Sequence, residues 1–112
     1  MDLAVLSALE AELPGAGRRF ACDFVGLWER RYAALAEAVA VGRMDNALDA
    51  VLSLKVSSAM VGARRLSGEA ACVERALKGG SQVDLELFCG GLSECGRRTV
   101  RTLRGGFLSG LP

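Results

Sequence analysis

The sequence contains no histidine, and that absence removes both imidazole acid–base chemistry and the nitrogen half of any mixed Cys/His zinc site. Aromatic residues are only 5% of the chain, while Ala, Leu, Val and Gly dominate its 51% hydrophobic content. This argues against a sheet built on aromatic and β-branched side chains and for closely packed helices. No apolar stretch approaches the roughly 20 residues that a membrane-spanning helix needs. The start, "MDLAVLSALEAELPG", lacks a basic flank and carries Asp2, Glu10 and Glu12, so it reads as a helix rather than a signal peptide. The expected location is the cytoplasm.

Net charge is also lacking. Fourteen basic and thirteen acidic residues leave +1, so no global field draws the chain to nucleic acid or to an anionic membrane. The basic residues are arginine except for Lys55 and Lys78 and are scattered along the chain. Four cysteines are present, Cys22, Cys72, Cys89 and Cys95, without CxxC spacing. Each falls in an amphipathic pattern, so reduced thiols packed as small hydrophobes are expected, with no metal site or cofactor.

What remains is a chain of 112 residues and 11.8 kDa, a length suited to one domain, 1–112, with its own core. Leu3, Leu6 and Leu9 form one face of a short first helix, stopped at Pro14 and Gly15. Ala21, Val25, Trp28, Tyr32, Leu35 and Val39 follow in steps of four and three, widened by Phe20 and Phe24, and predict a long second helix ending near Gly42. Asp45 reads as the N-cap of a third helix running to Val61 and stopped by Gly62.

Leu66, Ala70, Val73 and Leu77 mark a fourth helix closed by Gly79 and Gly80. Ser81, with Asp84 three residues on, begins a fifth that carries Leu85, Phe88, Leu92, Cys95, Thr99 and Leu103. Gly90, Gly91 and Gly96 cost this helix about 1 kcal/mol each relative to alanine and point to close approach by a neighbouring helix. Arg104 to Gly106 is expected to end it, leaving residues 105–112 as a loose tail. The predicted class is all-α, an up-down four-helix bundle with a short additional N-terminal helix.

The third helix stands apart. At 100° per residue, Ala47, Ala50, Val51, Leu54, Ser57, Ser58 and Val61 share the side suited to the core, where both serines can bond back to carbonyls one turn earlier. Leu48, Leu52, Lys55, Val56, Ala59 and Ala63 lie opposite, and only Lys55 is charged. A helix apolar on both sides needs cover on both. Either the N-terminal helix supplies that cover, or Leu48, Leu52 and Val56 are single exposed apolar residues of the common kind, or the face docks a partner.

The stretch "LSLKVSSAMVGARRL", preceded by a helix of aromatic and apolar residues and followed by one ending in "ALKGG", resembles the histidine-containing phosphotransfer (HPt) domain. Leu54, Lys55, Gly62, Ala63 and Leu66 match the family's pattern. In element order the resemblance spans about residues 3–105, but its specific residues lie in this one stretch. Leu52 stands where the family carries its phosphorylated His, and Val56 replaces the glycine that keeps the surface beside that His open. The resemblance implies a degenerate member, lacking catalytic residues, that keeps the scaffold and the face that family members present to the receiver domain of a response regulator in two-component phosphorelay signalling.

Leucine has no lone pair to take up a phosphoryl group, and the neighbouring Ser53 has no activating group in view. The chain offers no clustered carboxylates with a metal partner and no phosphate-binding loop, so it does not read as an enzyme. The competing reading is self-association through the same face, since a two-fold contact is the simplest way to bury Leu48, Leu52 and Val56. Arg97, Arg98, Arg101 and Arg104 make a basic side of the last helix, without the stacking aromatics of a nucleic-acid surface. Arg64 and Arg65 read as a solvated pair.

Overall fold

A computed structural model describes residues 1–108 and is all-helical, with no strand among the described residues. The helices are α1 (Ala4–Glu12), α2 (Ala16–Ala40), α3 (Met44–Met60), α4 (Arg64–Gly79) and α5 (Gln82–Thr102), and α5 continues into a π-helical turn over Leu103–Phe107. The body measures 45 × 18 × 18 Å. At 1.5 Å per residue α2 alone spans about 37 Å, so the long helices run with the long axis. No helix among the described residues is long and apolar enough to cross a membrane.

Each turn sits where Gly or Pro interrupts the apolar period, and each joins helices that pack against one another. α3 packs on α2 and on α4, α5 packs on α4 and α2, and α1 lies on α2. The core follows the predicted stripes: Leu6, Ala21, Trp28, Leu35, Val51, Leu54, Leu66, Val73, Leu92 and Leu103 are all buried. Phe24, Trp28 and Tyr32 stack along α2, with ring centroids 6.0 and 5.9 Å apart. The Tyr32 hydroxyl donates to the Cys89 carbonyl of α5 at 3.1 Å.

Two glycines fix the assembly. Gly62, at φ +78°, turns the chain from α3 into α4, and a Cβ there would collide with the Asp2 carbonyl and with Val5. The Asp2 N–H donates to the Gly62 carbonyl at 3.0 Å, tying the N-terminus to this turn. Gly96 lets Trp28 lie directly against the α5 backbone. Of the three α5 glycines singled out by sequence it is the one that a helix approaches closely: Gly90 faces open space, and Gly91 faces only the Glu69 carboxylate of α4.

Several local expectations are corrected. Asp45 is not the N-cap of α3; the helix begins at Met44 with Arg43 in the cap position, and Asp45 occupies the first turn, where its charge suits the positive end of the helix dipole. Arg104 to Gly106 does not release the chain into a loose tail, because the π-turn carries on from α5 and returns Phe107 to the core. The rest of that expected tail, 109–112, lies outside the described residues. Cys22 is exposed rather than packed inside; Cys95 is buried, and Cys72 and Cys89 are intermediate. The Ser81 cap forms as predicted, its hydroxyl accepting from the Asp84 N–H at 3.3 Å.

A cap not foreseen in the sequence comes from another helix. The Glu10 carboxylate of α1 accepts from the Gly15 N–H and, at 3.0 Å, from the Arg18 N–H in the first turn of α2. Those bonds, the one from Gly15 foremost, hold the Glu10 carboxyl below its ordinary pKa.

Candidate functional site

The inner side of α3 is core. Ala47, Val51, Leu54, Ser58 and Val61 are buried, with Ala50 and Ser57 at the margin. The Ser57 hydroxyl donates to the Leu54 carbonyl at 3.2 Å. The Ser58 hydroxyl, fully buried, has no hydrogen-bond partner among the described residues. The sequence expectation that both serines bond back therefore holds for Ser57 alone.

The opposite side is largely open. Leu52 is 40% and Val56 57% exposed, Ala59 is exposed, and Leu48 is half-buried against the core. Ala63 does not belong with them. It precedes α4, is 2% exposed and joins the core, because the Gly62 turn swings the chain off the α3 axis before Ala63 is reached. Its N–H donates to the Ser58 carbonyl at 2.9 Å.

α1 does not cover Leu52 or Val56, because it packs on α2. Its first residues reach only the far end of α3, where Asp2 and Val5 meet Gly62. There the open apolar surface continues. Met60 is 46% exposed, and with Val5, Ala8, Leu9 and Glu12 of α1 and Phe20 of α2 it lines a groove of about 410 Å³. Leu52, Val56 and Met60 follow at intervals of four, so they form one slanting stripe along α3. Sequence reasoning omitted Met60 and Val5. The interval of four was the available signal for Met60, whereas Val5 joins only through the tertiary placement of α1.

On this side Asp45 and Asp49 are exposed, seven residues before Leu52 and Val56, and Lys55 is not free. Its ammonium lies 2.9 Å from the Glu74 carboxylate of α4, and Lys78 lies 3.1 Å from the other oxygen of the same carboxylate. Both hydrogen bonds, the one from Lys55 foremost, hold the Glu74 carboxyl below its ordinary pKa. Ser67 adds a second tie between the helices, its hydroxyl donating to the Lys55 carbonyl at 3.2 Å. Lys55 therefore stands as a charge fixed at the α3–α4 edge of an apolar stripe.

The stripe offers contact rather than reaction. Leu, Val, Ala and Met side chains supply apolar area and no nucleophile, and the nearest hydroxyl, on Ser53, belongs to an exposed residue. Comparison with protein-family models, curated proteins and solved structures finds no match to this chain.

Proposed function

We propose that the chain is a non-catalytic pseudo-phosphotransfer protein, an up-and-down four-helix bundle of HPt type with an added N-terminal helix, that binds the receiver domain of a response regulator. The observation that carries this reading is the exposure of Leu52 and Val56, one turn apart on a helix whose other side is core. Leu52 is the anchor at the position of the family's phosphorylated His, Val56 and Ala59 extend it, Leu48 flanks it, and Lys55 borders it. An aliphatic centre beside a fixed charge is a sound hot-spot arrangement against the apolar surround of a receiver aspartate.

In this reading the protein is not an enzyme, because no side chain of the face can accept a phosphoryl group. It works in the cytoplasm by holding a receiver or masking its aspartate. The test is an NMR titration of isotope-labelled protein with receiver domains, each with and without a phosphate mimic. Saturable shifts centred on Leu52, Lys55, Val56 and Ala59 are expected, and the absence of shifts with every receiver would end the proposal.

A second reading, self-association, is favoured by the continuation of the stripe into Met60 and Val5. A longer apolar strip suits a two-fold contact in which each copy covers the other. Sedimentation velocity separates the two: a concentration-dependent dimer that Leu52→Glu returns to monomer supports self-association, and a monomer at all concentrations supports the adaptor.

A further inference from the structure

Away from α3, the first turn of α4 and the last turns of α5 enclose a pocket of about 140 Å³, lined by Ala63, Arg65, Leu66, Cys95, Arg98 and Thr102, with Met1 and Thr99 completing it. One water needs about 10–15 Å³ by the same measure, so a compact polyatomic ion has room. Two exposed arginines from different helices line this space. Neither Arg65 nor Arg98 has an ion-pair partner among the described residues. Glu69 follows Arg65 by one turn yet lies across Gly91, and Asp2 is engaged by Arg64 at 3.4 Å. Neither carboxylate forms an ion pair with Arg65 or Arg98.

The other donors agree. The Thr102 hydroxyl belongs to an exposed residue at the rim. Ala63, in the cap position of α4, has no side chain to accept from the first-turn N–H groups, and Ala63 and Leu66 both line the pocket. Thr99 serves as wall only, since its hydroxyl already donates to the Cys95 carbonyl at 2.9 Å. Burial, foremost, and Glu69 push the Cys95 thiol upward against the opposing pull of Arg65, Arg98 and Thr99, so the thiol brings no negative charge to the pocket.

We infer that this pocket binds a phosphate-class oxyanion, gripped by Arg65 and Arg98 and completed by Thr102. Two planar guanidinium forks and a hydroxyl present more donors than a single carboxylate can accept, and they match the charge and oxygen count of a phosphate dianion. The site rests on α4 and α5 and does not depend on what docks at α3.

The test is titration of the full isotope-labelled chain with inorganic phosphate at fixed ionic strength, with chloride as the reference anion. Saturable shifts at Arg65, Leu66, Arg98 and Thr102 are expected, weakened about tenfold by Arg65→Gln or Arg98→Gln, the loss of one charge-assisted contact. Arg30→Gln, which removes an exposed charge from α2, should leave the affinity unchanged. Shifts that never saturate, that chloride reproduces, or that Arg30→Gln weakens equally would overturn the assignment. A parallel titration with O-phosphoserine identifies the source: tighter binding than inorganic phosphate marks a phosphate carried on a larger molecule, and weaker binding marks the free ion.

Discussion

The indole of Trp28 occupies the space that a side chain at Gly96 would fill. Trp28 is 3% exposed and stacks between Phe24 and Tyr32, so it has no room to retreat. Gly96→Ala gains about 1 kcal/mol of helix propensity, but forcing a methyl group into a rigid ring costs more, and the net effect should be a loss of roughly 2 kcal/mol. Gly90→Ala on the same helix meets nothing within 4 Å and should instead gain about 0.5–1 kcal/mol. Urea denaturation of the two variants checks both signs.

Leu52→Glu should leave folding nearly intact, with a change below about 1 kcal/mol, because the side chain is already part-exposed. Val51→Glu, one residue away at a fully buried position, should unfold the chain through an unpaired buried charge. If Leu52→Glu also unfolds it in a thermal melt followed by circular dichroism, the outer side of α3 is core and the docking proposal fails.

Ser58→Ala should stabilise the protein. The substitution removes a buried hydroxyl that has no partner among the described residues and installs the best helix former. Together these effects should gain about 1–2 kcal/mol. Chemical denaturation measures it, and an unchanged or lower midpoint would mean that the hydroxyl is satisfied in solution.

Acid should loosen the α1–α2 junction. The folded pKa of Glu10 is depressed by the Gly15 and Arg18 N–H groups, so the carboxylate's contribution is fully present above its unfolded value of about 4.3. It is lost as the pH falls from there through the folded value. Glu74, depressed by Lys55 and then Lys78, follows the same sign. Melting temperature recorded on either side of pH 4 should fall less steeply in Glu10→Gln than in the parent, since the variant has already lost the ionisable cap.

Much of the fold was legible because its signals are local. Pro14, Gly15, Gly42, Gly62 and Gly80 mark helix ends, and the alternation of three and four placed Trp28, Leu54, Leu66 and Leu92 inside. The misses were set by tertiary contact. Ala63 follows the period of α3, but the Gly62 turn carries it inward. Glu10 caps a helix other than its own, which no pattern within α1 announces. Lys55 reads as a lone charge until α4 brings Glu74 beside it. Phe107 returns to the core through a π-turn that a pair of glycines gave reason to read as an ending.

Trp28 is the only tryptophan in the sequence, and it sits at the seam between α2 and α5. The other long-helix contacts join elements adjacent in the chain, which form at low loop-closure cost, whereas this seam brings together segments separated by two intervening helices. Its fluorescence therefore responds to the docking of the last helix. A stopped-flow experiment on the unmodified protein would time that closure separately from the growth of helicity.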